Sequence, residues 1–160
     1  MATLSNIEFL TAHNFYLELI LDGSGQADAV FLECQGFQCT QDVIEVCEVT
    51  SNKWGQAQKG LPVRTKVPGN VKIGNLTLRR GASNSLTFWN WFKAVQEGNW
   101  ANQRQDLALN ILNKATQRKA RYELSGAWPT NYKISDVNAR SNELALEELE
   151  IAFEGFKRTM

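Results

Sequence analysis

The chain of 160 residues contains a single histidine, His13. Ser-His-Asp chemistry needs an imidazole held beside a nucleophile, and one histidine close to the N-terminus offers no such set. Cysteine is sparse as well. Cys34, Cys39 and Cys47 are spaced C-x4-C-x7-C, with no CxxC pair and no histidine nearby. Structural zinc takes four ligands, so this group falls one short. An odd number of thiols and no secretory leader argue against a disulfide framework. Cys34 and Cys47 read as small apolar strand residues. Excess charge of one sign is missing too: 17 basic and 17 acidic residues cancel. The chain therefore exerts no general pull on nucleic acid or membrane. Little repulsion holds identical copies apart.

Long apolar runs are absent. The run from Phe15 to Leu21 is interrupted by Glu18 and is far too short to span a bilayer. MATLSNIEFLTAHN lacks the basic start and apolar stretch of a secretory signal, which predicts synthesis in the cytoplasm and no stable membrane insertion. There is no Gly-Lys-Ser/Thr phosphate loop. Gly23-Ser24-Gly25 sits in a turn with no helix after it, which excludes a dinucleotide loop. The carboxylates Glu143, Glu147, Glu148, Glu150 and Glu154 invite an acid–base reading, but such a run reads more simply as a solvated strand face. No catalytic residue, metal ligand or cofactor is expected.

What is present is strand. With 43% hydrophobic residues the chain has material for a core, and its length predicts one domain, 1–160, with 1–14 as a loose N-terminal segment. In FYLELIL, Phe15, Leu17, Leu19 and Leu21 share one face of a strand. DGSG at 22–25 reads as a turn. Residues 29–35 and 42–49 read as two strands, with Gly36 as a bend between them. From Ser51 to Asn70 the apolar pattern is lost, which predicts a long contact loop over about 50–70. Strand character returns at 71–80, 106–112, 121–127 and 132–138. The basic stretch NKATQRKAR between two of these reads as a solvated hairpin end.

One helix is expected at 84–97, capped by Ser83, Asn84 or Ser85 and stopped by Gly98. Leu86, Trp89, Phe92 and Val95 are read as its apolar face, widened by Phe88 and Trp91. Trp128 reads as a strand end that Pro129 stops. In Arg79-Arg80-Gly81, alternation sends the two arginines to opposite faces. The final segment fits a helix through Ala145, Leu149, Ala152, Phe153 and Phe156. It also fits a strand, provided a bulge near Glu147–Glu148 restores parity.

Three pieces in order resemble the tail tube proteins of contractile-tailed phages and the inner tube proteins of phage-like contractile injection systems. The first is Lys66-Val-Pro68-Gly69 followed by Leu76-Thr-Leu78-Arg79-Arg80-Gly81. The second is the aromatic stretch Leu86, Phe88, Trp89, Trp91 and Phe92. The third is Gly126-Ala-Trp128-Pro129, then Ser141-Asn142-Glu143 and Leu146-Glu147-Glu148-Leu149-Glu150. The resemblance implies a mainly β fold: two packed antiparallel sheets curling towards a barrel, one short helix, and strands shared into a hexameric ring barrel. It makes the final segment a bulged strand. It implies homo-hexamer rings stacked into a tube, a sheath protein around it, baseplate initiator and terminator proteins at its ends, and DNA or protein cargo in the lumen. It marks Pro68, Gly69, Leu78, Arg79, Arg80, Gly81, Trp89, Trp91, Phe92, Trp128, Pro129, Asn142, Glu147 and Glu150 as motif positions and candidate subunit interface. A tube-initiator ring is the alternative within the family. Outside it, the alternative is a soluble β-rich binding module using Trp54, Trp100 and Trp128.

Overall fold

Period-two alternation becomes strand almost everywhere in the computed structural model, which describes residues 10–19 and 31–160. The strands among them are β1 (Phe15–Glu18), β2 (Glu33–Gln35), β3 (Cys39–Val49), β4 (Pro62–Ile73), β5 (Leu76–Gly81), β6 (Gln105–Leu112), β7 (Arg118–Ile134), β8 (Leu146–Ala152) and β9 (Gly155–Arg158). One α-helix, α1 (Thr87–Ala94), lies among them. Every strand pairing is antiparallel. The residues form two compact units, one made of 38–73 and the other of the rest. Leu21, the turn at 22–25 and residues 29–30 lie outside the described residues.

In the larger unit, β7 is the axis. Its first half pairs with β6 along one edge and β9 along the other, and β1 flanks β6. Its second half pairs with β8, which continues through β5 to β2. One 17-residue strand thus serves two sheets, β1-β6-β7-β9 and β7-β8-β5-β2. The change of sheet falls at Gly126, whose φ of +64° suits glycine. Leu17, Leu107, Leu109 and Leu124 are buried on the first sheet; Leu76, Leu78, Leu149 and Ile151 are buried on the second. Each such leucine contributes about 1.5–3 kcal/mol by leaving water.

Several expectations are corrected here. Residues 121–127 and 132–138 are not two strands: β7 runs through Trp128 and Pro129 to Ile134, with a register shift between Pro129 and Asn131. An irregular position is where a strand tolerates proline, because no ladder N–H is lost. The final segment is strand, but its pairing with β5 is unbroken from Leu146 to Ile151, and the one shift in its pairing with β7 falls between Pro129 and Asn131. No bulge at 147–148 is needed because Glu147, not Leu146, takes the inner position. Helix α1 starts later than expected, with Leu86 as its uncapped N-cap. That start phases the buried face to Phe88 and Trp91, with Phe92 and Val95 half-buried beside them, leaving Leu86 and Trp89 exposed. Gly98, at φ +94°, lies in a wide turn at Val95–Asn99 that follows the helix.

The smaller unit corrects the long loop. Pro62–Ile73 is strand, paired with Cys39–Val49, so the irregular segment is only 50–61. Pro68 and Gly69 therefore sit within β4, where they face the register shift between Gln41 and Val43. The apolar period was broken there because both strands carry charge on one face: Glu45 opposite Lys66, and Cys47 opposite Arg64. The other face is more apolar, with Ile44 opposite Val67 and Val46 opposite Thr65, and it carries Glu48 opposite Val63. Among the described residues, neither strand pairs outside this hairpin. Its valines and Ile44 are exposed.

Candidate functional site

The sheet β1-β6-β7-β9 has unlike faces, because residues of alternate parity point to opposite sides. One side carries the buried leucines. The other gathers Glu18 from β1, Asp106 and Asn110 from β6, Arg121, Glu123 and Ser125 from β7, and Lys157 from β9. Register places Glu18 beside Ala108, Ala108 beside Glu123, and Glu123 beside Lys157, so one row crosses all four strands. Arg121 is its hub. Its Nη1 donates to Glu18 Oε2 at 2.8 Å and to Asn110 Oδ1 at 3.1 Å, and its Nε donates to Glu123 Oε1 at 2.9 Å. The hydrogen bond to Glu123, then that to Glu18, pushes the Arg121 pKa further up. Beside this row a groove of about 850 Å³ is lined by Arg104, Asp106, Leu107, Ser125, Gly155 and Phe156, among others.

The same sheet ends in two short strands. β1 and β9 are each four residues long, and each pairs along one edge only among the described residues. Unpaired strand edges are templates for another chain.

The family-motif positions separate into a framework and a surface. Leu78, Trp91 and Pro129 are buried. Arg80 is 3% exposed and its Nε meets Glu147 Oε2 at 2.5 Å, while the second Glu147 oxygen accepts from Tyr132 Oη at 2.6 Å. The Arg80 guanidinium lies 3.8 Å over the Phe88 ring. Trp91 Nε1 donates to the Gln103 carbonyl at 2.7 Å. These side chains fix the fold from inside the chain and do not present a contact surface. Arg79 is on the opposite face, with a side chain 38% exposed, and joins Glu33 and Glu148 at 2.9 and 2.8 Å. Glu150 accepts from Asn75 at 2.8 Å. Gly81 ends β5 against Leu144. Trp89 and Phe92 pack on Tyr132, and Trp128 lies beside Trp100. Asn142 is exposed. Trp54 is exposed in the hairpin loop, where it bridges to Ala57.

Sequence reasoning missed the Arg121 cluster. Its members come from three strands up to 103 residues apart, and only the alternation of RYELS and DLALN hinted that a polar face existed. It also missed Tyr132 as the third member of the Arg80–Glu147 network.

These features define a β-structural subunit with open sheet edges. The identity follows from residues 11–157, which match the T4-like virus tail tube protein gp19; the chain belongs to that family of tail tube proteins. Solved structures agree on the fold. A chain of the PVC sheath–tube complex, an extracellular contractile injection system in the extended state, superposes with a TM-score of 0.74 at 21% identity, covering 94% of this chain and 90% of that one. A chain of the PVC sheath/tube terminator in the extended state gives 0.77 at 21% identity, covering 98% and 100%. A chain of the anti-feeding prophage tube-terminating cap gives 0.75 at 21% identity, covering 100% and 99%. No curated protein matches in sequence. Among the described residues, no helix is long and apolar enough to cross a membrane.

Proposed function

We propose that copies of this chain close edge to edge into six-membered rings, and that the rings stack into the inner tube of a contractile tail or injection system. The observation that carries this is the four-stranded sheet of a tail tube family member whose end strands, β1 and β9, each have one edge unpaired among the described residues. The four strands alternate in direction, so β9 of one copy meets β1 of the next antiparallel and the sheet continues without a break. Four strands from each of several copies exceed the about 16–18 strands at which a barrel already encloses water. Rings joined head to tail grow without closing, which makes a filament. The β3–β4 hairpin reaches a neighbouring copy, since a two-stranded sheet with an exposed apolar face is marginal alone. A sheath surrounds the tube and drives it through a target envelope. Baseplate and terminator proteins bound its ends, and cargo occupies its channel. The chain's part in this is mechanical.

Negative-stain electron microscopy of the concentrated protein tests it. Six-fold rings or hollow tubes are expected. Rings that never stack would assign the chain to the initiator position instead, and a strict monomer at every salt concentration would end the proposal.

A further inference from the structure

The polar face of the β1-β6-β7-β9 sheet has a specific charge design. The groove on it is lined by three cations, Arg104, Arg121 and Lys157, and three anions, Glu18, Asp106 and Glu123. The sum is zero, and the arrangement is local. Arg121 is held between Glu18 and Glu123. Arg104 is held by Glu154 at 3.0 Å and lies over the Trp100 ring. Asp106 accepts the Gly126 N–H at 3.1 Å, and Lys157 stands opposite Glu123 in the ladder.

The opposite face of this sheet is covered by the chain's own buried layer. If the sheet continues from copy to copy into a closed ring, that bulk has room only on the outside, and the polar face turns to the channel. We propose that this face is a charge-balanced channel wall suited to polypeptide cargo, in which Glu18 and Glu123 mask Arg121 from polyanions. The assignment to the channel rests on the tube reading; the masking does not. A nucleic acid gains affinity by releasing counterions when cations neutralise its phosphates. A cation already neutralised by two carboxylates offers little of that gain. A polypeptide carries both signs and adheres to any wall of one sign, so a balanced wall holds it least. A uniformly acidic wall would instead repel a polyanion at every ring, and this face is not acidic.

The test uses a short fluorescent single-stranded DNA at about 50 mM salt, with the unassembled protein and with assembled material. Wild-type protein is expected to retain almost none. The double substitution Glu18→Gln with Glu123→Gln is expected to bind at least about tenfold more tightly, with affinity falling steeply as salt rises. Adding Arg121→Gln is expected to return binding to the wild-type level. Glu123→Gln alone, at an exposed position, is expected to give a partial gain and covers the case in which the Glu18 change disturbs folding. Wild-type binding as tight as the double variant's overturns the masking, as does a folded variant with no gain or a gain that survives loss of Arg121. For the wall, wild-type tubes are grown with the DNA and with a fluorescent unfolded polypeptide of balanced charge. Protease-protected polypeptide and no nuclease-protected DNA are expected; nuclease-protected DNA in wild-type tubes overturns the cargo assignment. In tubes of the double variant, bound DNA should resist nuclease, and its complete digestion would place the face outside. Microscopy of the same samples separates the two readings, because an absence of tubes refutes the assembly while the unassembled protein still decides the masking.

Discussion

Glu147→Gln isolates the cost of a buried charge. The Arg80 and Glu147 side chains are 4% and 5% exposed, and they are joined at 2.5 Å. The amide keeps the shape of the carboxylate but removes the charge, and its single oxygen accepts from Tyr132 or from Arg80, not from both. The Arg80 guanidinium is then left with the Phe88 face and an uncharged amide beside it, and its Nη2 already lacks a hydrogen-bond partner among the described residues. Stranding one member of a buried pair costs about 3–5 kcal/mol. For a chain of this length that is a fall of roughly 10 °C in Tm. Arg80→Met with Glu147→Leu removes both charges and is expected to recover most of that loss, because apolar replacement of a buried pair is often neutral. Urea unfolding of the unassembled protein reads Glu147→Gln and a double-mutant cycle made of Arg80→Met, Glu147→Leu and the two together. A single substitution costing less than about 1 kcal/mol, or a double variant as unstable as the sum of the singles, would refute the buried-charge account.

Arg79→Ala, one residue away on the exposed face, should cost under about 1 kcal/mol because its two ion pairs are solvated; a loss matching Arg80 would contradict the face assignment. At pH 8, mass spectrometry after alkylation should find Cys39 and Cys47 modified and Cys34 protected, since burial pushes the Cys34 thiol up to about 12. Alkaline pH should also destabilise. Folded Cys34 and Tyr132 titrate at about 12, above their ordinary values of 9.0 and 10.0, so their contribution is complete below about pH 9 and is lost as pH rises towards 12. Urea midpoints measured from pH 8 to 11 should fall, and Tyr132→Phe should flatten the slope. Gly36→Ala should lose the β2–β5 pairing, because a Cβ at φ +96° would stand 2.1 Å from the Asn75 carbonyl oxygen; an unchanged melting curve would refute this. Hydrogen exchange should be fast in the β3–β4 hairpin of the unassembled protein and slow after assembly.

The readable parts of the fold were those fixed by local alternation. Leu17 and Leu19 fell on the buried face, and the split of Arg79 from Arg80 followed from parity alone. Of the stretch NKATQRKAR read as a solvated hairpin end, only the part before Arg118 is turn, closed locally by Asn113, which accepts from Ala115 and Gln117; Arg118–Arg121 belong to β7, with Ala120 buried and Arg121 in the ion-pair cluster. What escaped depended on partners distant in sequence. Glu147 looked like a solvated carboxylate until Arg80, 67 residues away, brought it inside. β4 looked like a loop because its apolar and charged residues are balanced against β3 and not against a core. The Arg121 cluster escaped for the same reason.

The open strands also carry a rule for assembly. An exposed edge invites any other strand, and proteins restrain it with short strands and charge. Here β1 contributes Glu18, whereas β9 contributes Lys157 and Arg158. In an antiparallel blunt pairing of the two four-residue strands, Tyr16 would face Lys157 and Leu17 would face Phe156, so polar and apolar parities agree. Glu18 would lie diagonally from Lys157, within reach of a long side chain. Two copies of β9 would instead set Lys157 diagonal to Arg158 and opposite Phe156, and two copies of β1 would set Glu18 opposite Phe15, so like-with-like pairing turns polar parity against apolar parity. The edges therefore favour unlike ends, which is the heterologous contact that makes rings, over the like-with-like contact that stops at a dimer. Lys157→Glu places an acid on both edges and should lower ring yield by microscopy while leaving the melting temperature of the unassembled chain nearly unchanged. Undiminished rings from that variant would mean that the two edges meet elsewhere or not at all.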